Sequence, residues 1–481
     1  MEKLEQLRRA ARDIFQSALA QMDAGEAVRR AVRLEGDRLS IFETNFDLRA
    51  RPAEVYCVAL GKAAGAMASA LEEILGDRLA GGVVSAPRLS SRALTKRWRV
   101  FEGGHPEPNE ASLSAARAAF DLLRRADEAR GLVLFLVSGG GSAMLEWPRD
   151  EKTTLAELRE ANRALVTCGA SISEINSVRR AVSAVKGGGL AAHAPRAAQV
   201  TLIISDTNSG QEANVASGPT LPPPADAPDA STVVARYNLD ARLPPSVLRA
   251  IKLQDAHDST TTQTPALPPI HPSPSKNDAP SVAQDAPDST TGQQNNPMRQ
   301  HYTLLDNERA IERAADAARE RGFEVEVASD LIEQEVSEGS AVLVSRLVEL
   351  HRRRASKNRA VCLISGGEFA CLVRGRGVGG RNTETVLRCA IEMDERRAQT
   401  EDEASIMVAL SAGTDGIDGN SPAAGALADH TTIPRALNSN LDPHRFLRES
   451  DAYTFFQALG DTIITGPTGT NVRDLRILIE G

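Results

Sequence analysis

Lys62 follows Gly61 at the point where the apolar run Val55 to Leu60 ends. A lysine ammonium and backbone amides at a strand-to-helix turn both face outward, an arrangement that suits an anion. A P-loop is excluded, because Tyr56 occupies the place of its first glycine and Ala63 that of its magnesium-binding hydroxyl. A second apolar run ends in Ser138-Gly139-Gly140-Gly141-Ser142, where three glycines let the backbone approach an oxyanion while two hydroxyls donate. A third ends in Ser205-Asp206-Thr207. A fourth ends in Ser365-Gly366-Gly367-Glu368, whose carboxylate suits a divalent metal or a substrate hydroxyl. A fifth leads into Gly413-Thr414-Asp415-Gly416-Ile417-Asp418-Gly419, two carboxylates in a glycine-rich turn. Arg381 stands directly after Gly375-Arg376-Gly377-Val378-Gly379-Gly380, where a guanidinium at a helix start could bridge a transferring phosphoryl group or clamp a carboxylate.

Over 173–186, Asn176, Arg179, Ser183 and Lys186 fall at i, i+3, i+7 and i+10, which predicts a helix with one cationic face and an apolar face of Ile175, Val178, Val182 and Val185. Such a stripe is usually solvated; its place before Gly187-Gly188-Gly189 and between two strand tips favours acid or phosphate binding. The 375–380 loop also matches the dinucleotide fingerprint. That fingerprint needs an acidic residue about 20 positions on, at the end of the next strand, whereas Asp394 and Glu395 fall in the charged tail of the following helix.

Short, unbroken apolar runs are the mark of strands covered on both faces, and ligands of open parallel α/β sheets bind beyond the carboxyl ends of such strands. Helical stretches over 63–75, 110–126 and 173–186 alternate with the runs. The fold class is therefore α/β, with two Rossmann-like, parallel-sheet domains and an interdomain cleft. The expected division is an N-terminal domain over 1–250, a low-complexity linker over 251–302 and a C-terminal domain over 303–481. The opening helix is expected to pack on the first domain. Residues 253–300 are rich in Pro, Ser, Thr, Gln, Asp and Asn and cannot bury enough apolar surface to fold alone.

A chain of 481 residues with a formal charge of -8 and 4% aromatic residues is a poor match to a dedicated nucleic-acid binder or a polybasic membrane-surface protein. Its five cysteines lack zinc or dithiol spacing, and three of them, in or beside strand or helix patterns, read as small buried hydrophobes. No run approaches a membrane span, and the N-terminus lacks a secretory apolar region. A cytoplasmic location and a small-molecule partner are expected.

Seven strings carry a resemblance over nearly the whole chain outside 251–302, in matching order: VALGKAAGAM, GGHPEPNEAS, LVSGGGSAM, CGASISEINSVRRAVSAVKGGGLA, ISDTNSGQEANVASGPT, ISGGEFACLVRGRGVGGRNTE and SAGTDGIDGNSPAAGALAD. Together they resemble the glycerate 2-kinase family, whose C-terminal half is called the MOFRL domain. The resemblance implies ATP- and magnesium-dependent phosphorylation of glycerate, usually at the 2-hydroxyl, in a cleft between two α/β domains. It places the family's catalytic lysine and arginine at Lys62 and Arg381.

On that basis Ser138, Gly139, Gly140, Gly141, Ser142, Asn176 and Arg179 are the expected glycerate-binding residues. Lys186, Asp206, Glu368, Asp415 and Asp418 are expected to hold the nucleotide, with Asp206 or Glu368 on magnesium. A homodimer is the candidate assembly. The family tends to read SDVxGDD where this chain has SDTNSGQE, so that Gln211 replaces a carboxylate, which bears on metal or nucleotide affinity. Two rival readings are an NAD(P)-dependent hydroxypyruvate reductase and a non-enzymatic sugar-acid-binding protein.

Overall fold

The apolar runs become strands with every residue buried over Val55–Leu60 and Leu132–Ser138, and over all but the first residue of Ala198–Ile204. In the computed structural model, residues 2–49, 54–87, 94–258, 270–272, 297–354, 359–399 and 405–481 are described. The chain divides into two compact units, Met1–Asp23 with Asp206–Ser209 and Leu305–Gly481, and Ala24–Ser205 with Gly210–Leu304.

The second of these carries a seven-stranded sheet in the order Trp98–Glu102, Leu79–Ala86, Val55–Leu60, Leu132–Ser138, Ala198–Ile204, Arg299–Leu305, Ile270–Pro272. Val55–Leu60 pairs in parallel with both neighbours, and Leu132–Ser138 does so with Ala198–Ile204. Leu60 stands level with Val137, and Val137 with Ile203, so Gly61-Lys62, Ser138 and Ser205 emerge along one edge. Helices Glu110–Ala129, Leu155–Val166 and Ile172–Val182 each start on a capping box, set by Asn109/Ser112, Thr154/Glu157 and Ser171/Glu174.

The predicted helix over 173–186 stops early. Ser183 is extended (φ -114°, ψ 134°) and pairs with Pro148, so Lys186 is not on the face that carries Asn176 and Arg179.

The other unit is α/β as expected, but its sheet is mixed. The order is Glu324–Val327, Val361–Gly367, Asp474–Glu480, Met407–Gly413, Gly425–Asp429, Thr462–Ile463, and the first pair is parallel while the rest are antiparallel. The chain's last strand inserts between two earlier ones, a pairing no local periodicity can reveal. Leu343, Leu347, Leu363, Val386 and Phe455 belong to the core packed against this sheet.

The opening helix, Glu2–Ala20, buries Leu7, Ala11, Ile14 and Phe15. It lies against helix Asn307–Glu320 and strands Asp474–Glu480 and Met407–Gly413, which corrects the expected packing on the first domain. Arg8 ties it there, with its guanidinium on the buried carboxylates of Asp429 and Asp461.

Of the stretch 251–302, residues 251–258 close the helix Pro245–Asp258, Ile270–Pro272 is an edge strand, and Arg299–Leu305 begins at its end. The rest of the expected linker lies outside the described residues, apart from 297–298. All five cysteines are unpaired, and burial pushes the Cys371 and Cys389 thiols up to about 12. Among the described residues no helix is long and apolar enough to cross a membrane.

Candidate active site

In the unit that carries Lys62, the strand tips are stapled together by the residues expected to bind ligand. Gly61 has φ +111°, and a Cβ there would lie 2.3 Å from the Ser138 carbonyl oxygen, so only glycine lets the two tips meet. The Lys62 amide donates to the Gly139 carbonyl (2.9 Å) and the Ala63 amide to Ser138 Oγ (3.0 Å). Ser138 thus serves the turn rather than an incoming ligand. Gly140 has φ +79°; a Cβ on it would sit 3.0 Å from His105 Cδ2 and 3.3 Å from Lys62 Cγ. His105, which the sequence did not single out as a site residue, therefore flanks the same glycine as Lys62.

Ser142 and Asn176 come together through Ser217, from the ASGPT string. Ser217 donates to Asn176 Oδ1 (2.9 Å), which leaves Ser142 as donor in its 2.9 Å bond with Ser217 Oγ. Asn176 Nδ2 continues the chain to Asn214 Oδ1 (3.4 Å), and Arg180 Nη2 reaches the same oxygen (2.8 Å) and the Ala213 carbonyl (3.0 Å). Burial pushes the Arg180 guanidinium down to about 10, and its Nη1 has no partner among the described residues. Arg179 donates to Asn162 Oδ1 (2.7 Å), and burial lowers its pKa against the attraction of Glu146.

Lys186, expected at the nucleotide, is 2% exposed and ion-paired with Glu146, whose other oxygen accepts from Ser183 Oγ (2.5 Å). Burial lowers the lysine's pKa, with Glu146 opposing. This pair fixes the segment leaving the helix, which corrects the reading of Lys186 as a ligand-facing cation.

In the other unit, Arg381 opens helix Arg381–Gln399 between two carboxylates. Its Nε donates to Asp474 Oδ2 (2.5 Å), and Nη2 donates to Glu368 Oε1 (2.7 Å) and Asp474 Oδ1 (3.3 Å). Asn382 Nδ2 adds a third donor to Asp474 (3.0 Å), itself oriented by Ser411 Oγ (2.6 Å). Burial pushes the Glu368 carboxyl above the usual range; Arg381 opposes the shift, while the charges of Asp474 and Asp206 add to it. Burial would lower the Arg381 pKa, but Asp474 and Glu368 more than offset it and raise it.

The segment Asp206–Ser209 belongs to this unit, and Asn208 Nδ2 holds Glu333 (2.9 Å) while Ser209 Oγ holds Glu308 (3.2 Å). The expected metal residues Asp206 and Glu368 therefore lie within electrostatic reach of one another. Among the described residues no group of three or more His, Cys, Asp or Glu side chains is set to hold a metal by itself. Asp415 sits at the same tip: a Cβ on Gly413 would be 3.2 Å from its Oδ1 and 3.4 Å from Asp474 Oδ1.

Asp418 has a different role from the one expected. It is 1% exposed and accepts from the amides of Asn382 and Thr383 (2.9 Å each) and from Thr383 Oγ1 (2.8 Å), so it caps the helix that carries Arg381. Burial pushes it up to about 6.

The glycine loop before Arg381 spends its amides on the protein. Gly377 donates to the Glu449 carbonyl (2.9 Å), Val378 to Asp451 (2.8 Å), Gly379 to Asn420 (2.9 Å) and Gly380 to Thr383 Oγ1 (3.1 Å). A pyrophosphate cradle needs such amides unengaged. The loop's work is to aim the helix start.

Comparison with known proteins covers both units. Residues 10–252 match the family described as "Domain of unknown function (DUF4147)", and residues 361–474 the MOFRL family. The chain is 32% identical to the D-glycerate 2-kinase of Thermotoga maritima, over 88% of this chain and 90% of that protein. It is 34% identical to a putative hydroxypyruvate reductase of Agrobacterium vitis, over 88% and 86% respectively. A crystal structure of glycerate kinase from Thermotoga maritima superposes with a TM-score of 0.75 at 30% identity, covering 98% of this chain and 99% of that one. With similarity running through both halves, and with Lys62 at a strand tip and Arg381 at a helix start, the chain belongs to the glycerate 2-kinase family.

Proposed function

We propose that this protein is a phosphotransferase that uses ATP to phosphorylate D-glycerate, at the 2-hydroxyl. Phosphoryl transfer passes through a loose transition state with charge spread over three oxygens, so the protein's task is positioning and charge stabilisation. Lys62 and Arg381 are the two cations assigned to that charge. The observation that carries the reading is Arg381, held at a helix start by two carboxylates while its Nη1 has no partner among the described residues.

Glycerate is assigned to the glycine loop 139–141 with Ser142, Asn176 and Arg179, where hydroxyl, amide and guanidinium groups suit a hydroxy acid. Asp415 is assigned to the nucleotide side. Asp206 and Glu368 fit a magnesium ion in donor type, being hard carboxylate oxygens whose mutual repulsion a divalent cation would relieve. When bound, that ion would supply neutralisation of phosphate charge, held by Asp206 and Glu368, while Asp474 holds the Arg381 guanidinium.

Purified protein given D-glycerate, ATP and magnesium is expected to release ADP, with phosphorus NMR of the product reporting a 2-phosphate ester. NADH oxidation with hydroxypyruvate in the absence of ADP formation would overturn the assignment in favour of the reductase. Glycerate binding with no ADP release under any metal would favour the binding protein.

A further inference from the structure

We propose that Asp474 is the positioning residue for the Arg381 guanidinium: a buried carboxylate that fixes which edge of the fork is turned inward and which is left for phosphoryl oxygens. The inference deepens the kinase reading and rests on it for its catalytic consequence. Asp474 belongs to none of the motifs that mark the family in the sequence, and it lies 93 positions from Arg381.

Three features set it apart from Glu368. Its side chain is 2% exposed, against 33% for Glu368, so it cannot follow a ligand in and out. It takes the Nε edge of the guanidinium, with Nη2 also on its other oxygen, which fixes the plane of the fork and leaves Nη1 without a partner among the described residues.

Its own backbone is also pinned. Asp474 opens the strand that stands level with Gly367 on one side and Gly413 on the other. Asn307 spans that junction, donating from Nδ2 to the Val472 (2.7 Å) and Asp474 (3.1 Å) carbonyls and accepting from the Gly367 amide (2.7 Å). A Cβ on Gly366 would fall 2.1 Å from Asn307 Oδ1, so the glycine is what admits this brace.

A long side chain at a half-buried helix start would otherwise sample several rotamers. Misplacing a charge-stabilising group by about 1 Å can cost about 100-fold in rate. Asp474→Asn keeps the shape and removes the charge. It is expected to lower kcat about 100-fold while KM for glycerate and ATP stays within about threefold, since Arg381 would still be present but no longer aimed.

The decisive comparison is chemical rescue. Guanidinium ion added below denaturing concentrations is expected to restore part of the activity of Arg381→Ala, and none of that of the Arg381→Ala/Asp474→Asn double variant. Equal rescue of both, or a kcat for Asp474→Asn within threefold of the parent, would overturn the proposal. Should Asp474→Asn fail to fold, Asp474→Glu keeps the charge and moves it by one methylene; parental kcat in that variant also overturns it. A readout independent of turnover is the Arg381 Nε–H in 15N NMR of arginine-labelled protein, assigned with Arg381→Lys. Slow exchange in the parent and fast exchange in Asp474→Asn or Asp474→Glu support the clamp; fast exchange in the parent sinks it. A parent enzyme that forms no ADP from glycerate while showing the slow Nε–H would sink the kinase reading and leave the clamp standing.

Discussion

Lys62 and Arg381 each follow a glycine, but Lys62 stands two residues past the strand Val55–Leu60 while Arg381 opens a helix beside the start of another strand, and different groups pack around them. Around Lys62 are the Gly139 carbonyl, the Gly140 turn and the His105 ring. Around Arg381 are Asp474 and Glu368, with Asp206 and Asp415 nearby. Arg381 presents a cation already compensated by acids, so a polyphosphate arriving there must bring positive charge of its own or displace a carboxylate.

The largest expected effect separates the two cations. Lys62→Ala and Arg381→Ala should each lower kcat/KM by about 10²–10³-fold, the usual loss for one charge-stabilising donor. Stability should then split them. Removing Arg381 strands the buried Asp474 carboxylate with, among the described residues, only Asn382 as side-chain donor, at a cost of about 1–3 kcal/mol. Lys62→Ala lies on a tip whose staples are backbone and Ser138, and its melting temperature should stay near the parent's. Equal melting shifts in calorimetry would break the comparison.

Acidification should also pull two buried places, one in each unit, in opposite directions. His301, 3% exposed and facing the Thr220 carbonyl, is pushed down to about 4 by burial. Its folded-state pKa is depressed, so the stability it contributes is complete above the ordinary histidine value and is lost as pH falls toward 4, on the order of 2–3 kcal/mol. Asp418 is raised to about 6, so its contribution is complete below the ordinary carboxyl value and is lost as pH rises through about 6. Glu368 is shifted in the same direction. Between pH 6.5 and 4.5 the strand around His301 should loosen while the helix start capped by Asp418 tightens, measurable as amide hydrogen exchange at each place. His301→Gln should remove the acid sensitivity of the first; loosening at both places would contradict the assignment.

The strand tips were legible from local pattern alone. The runs that end at Leu60, Val137 and Ile204 in the sequence are strands ending at Leu60, Ser138 and Ile204 in the structure. A covered strand leaves an unbroken apolar signature wherever it pairs. What the sequence concealed depends on pairing between distant segments. Asp474 meets Arg381 only because the last strand inserts beside Val361–Gly367. His105 meets Gly140 across 35 positions of chain. Lys186 was assigned to a cationic helix face because the spacing is right, but spacing cannot see that Ser183 turns extended to pair with Pro148. Asp418 looked like a ligand because caps and ligand sites draw on the same Asx-Gly chemistry.

A tenfold effect is expected from the acidic side of the comparison. Glu368→Gln removes one of the carboxylates that crowd Arg381 and one of the two assigned to magnesium. The magnesium concentration for half-maximal activity should rise by about 10-fold or more, the scale on which a metal site responds to loss of a close partner. KM for glycerate should hardly move. If the glycerate KM rises and the magnesium requirement does not, Glu368 belongs to the acid substrate and the division between the two tips is drawn in the wrong place.

The smallest effect concerns the carboxylate this chain lacks. Gln211 is exposed and precedes the short 3-10 segment Glu212–Ser217, where its carbonyl accepts from the Asn214 amide (2.8 Å). Its backbone thus has structural work to do. Gln211→Asp should alter stability by no more than about 0.5 kcal/mol, as is usual for an exposed position away from caps and core. A charge added there acts through solvent, screened over about 8–10 Å at ordinary salt, so the magnesium requirement should fall by only a few-fold, and less at high ionic strength. A much larger, salt-insensitive gain would mean that position 211 touches the metal or the nucleotide directly, and that the acids around Arg381 are an incomplete account of how the nucleotide is held.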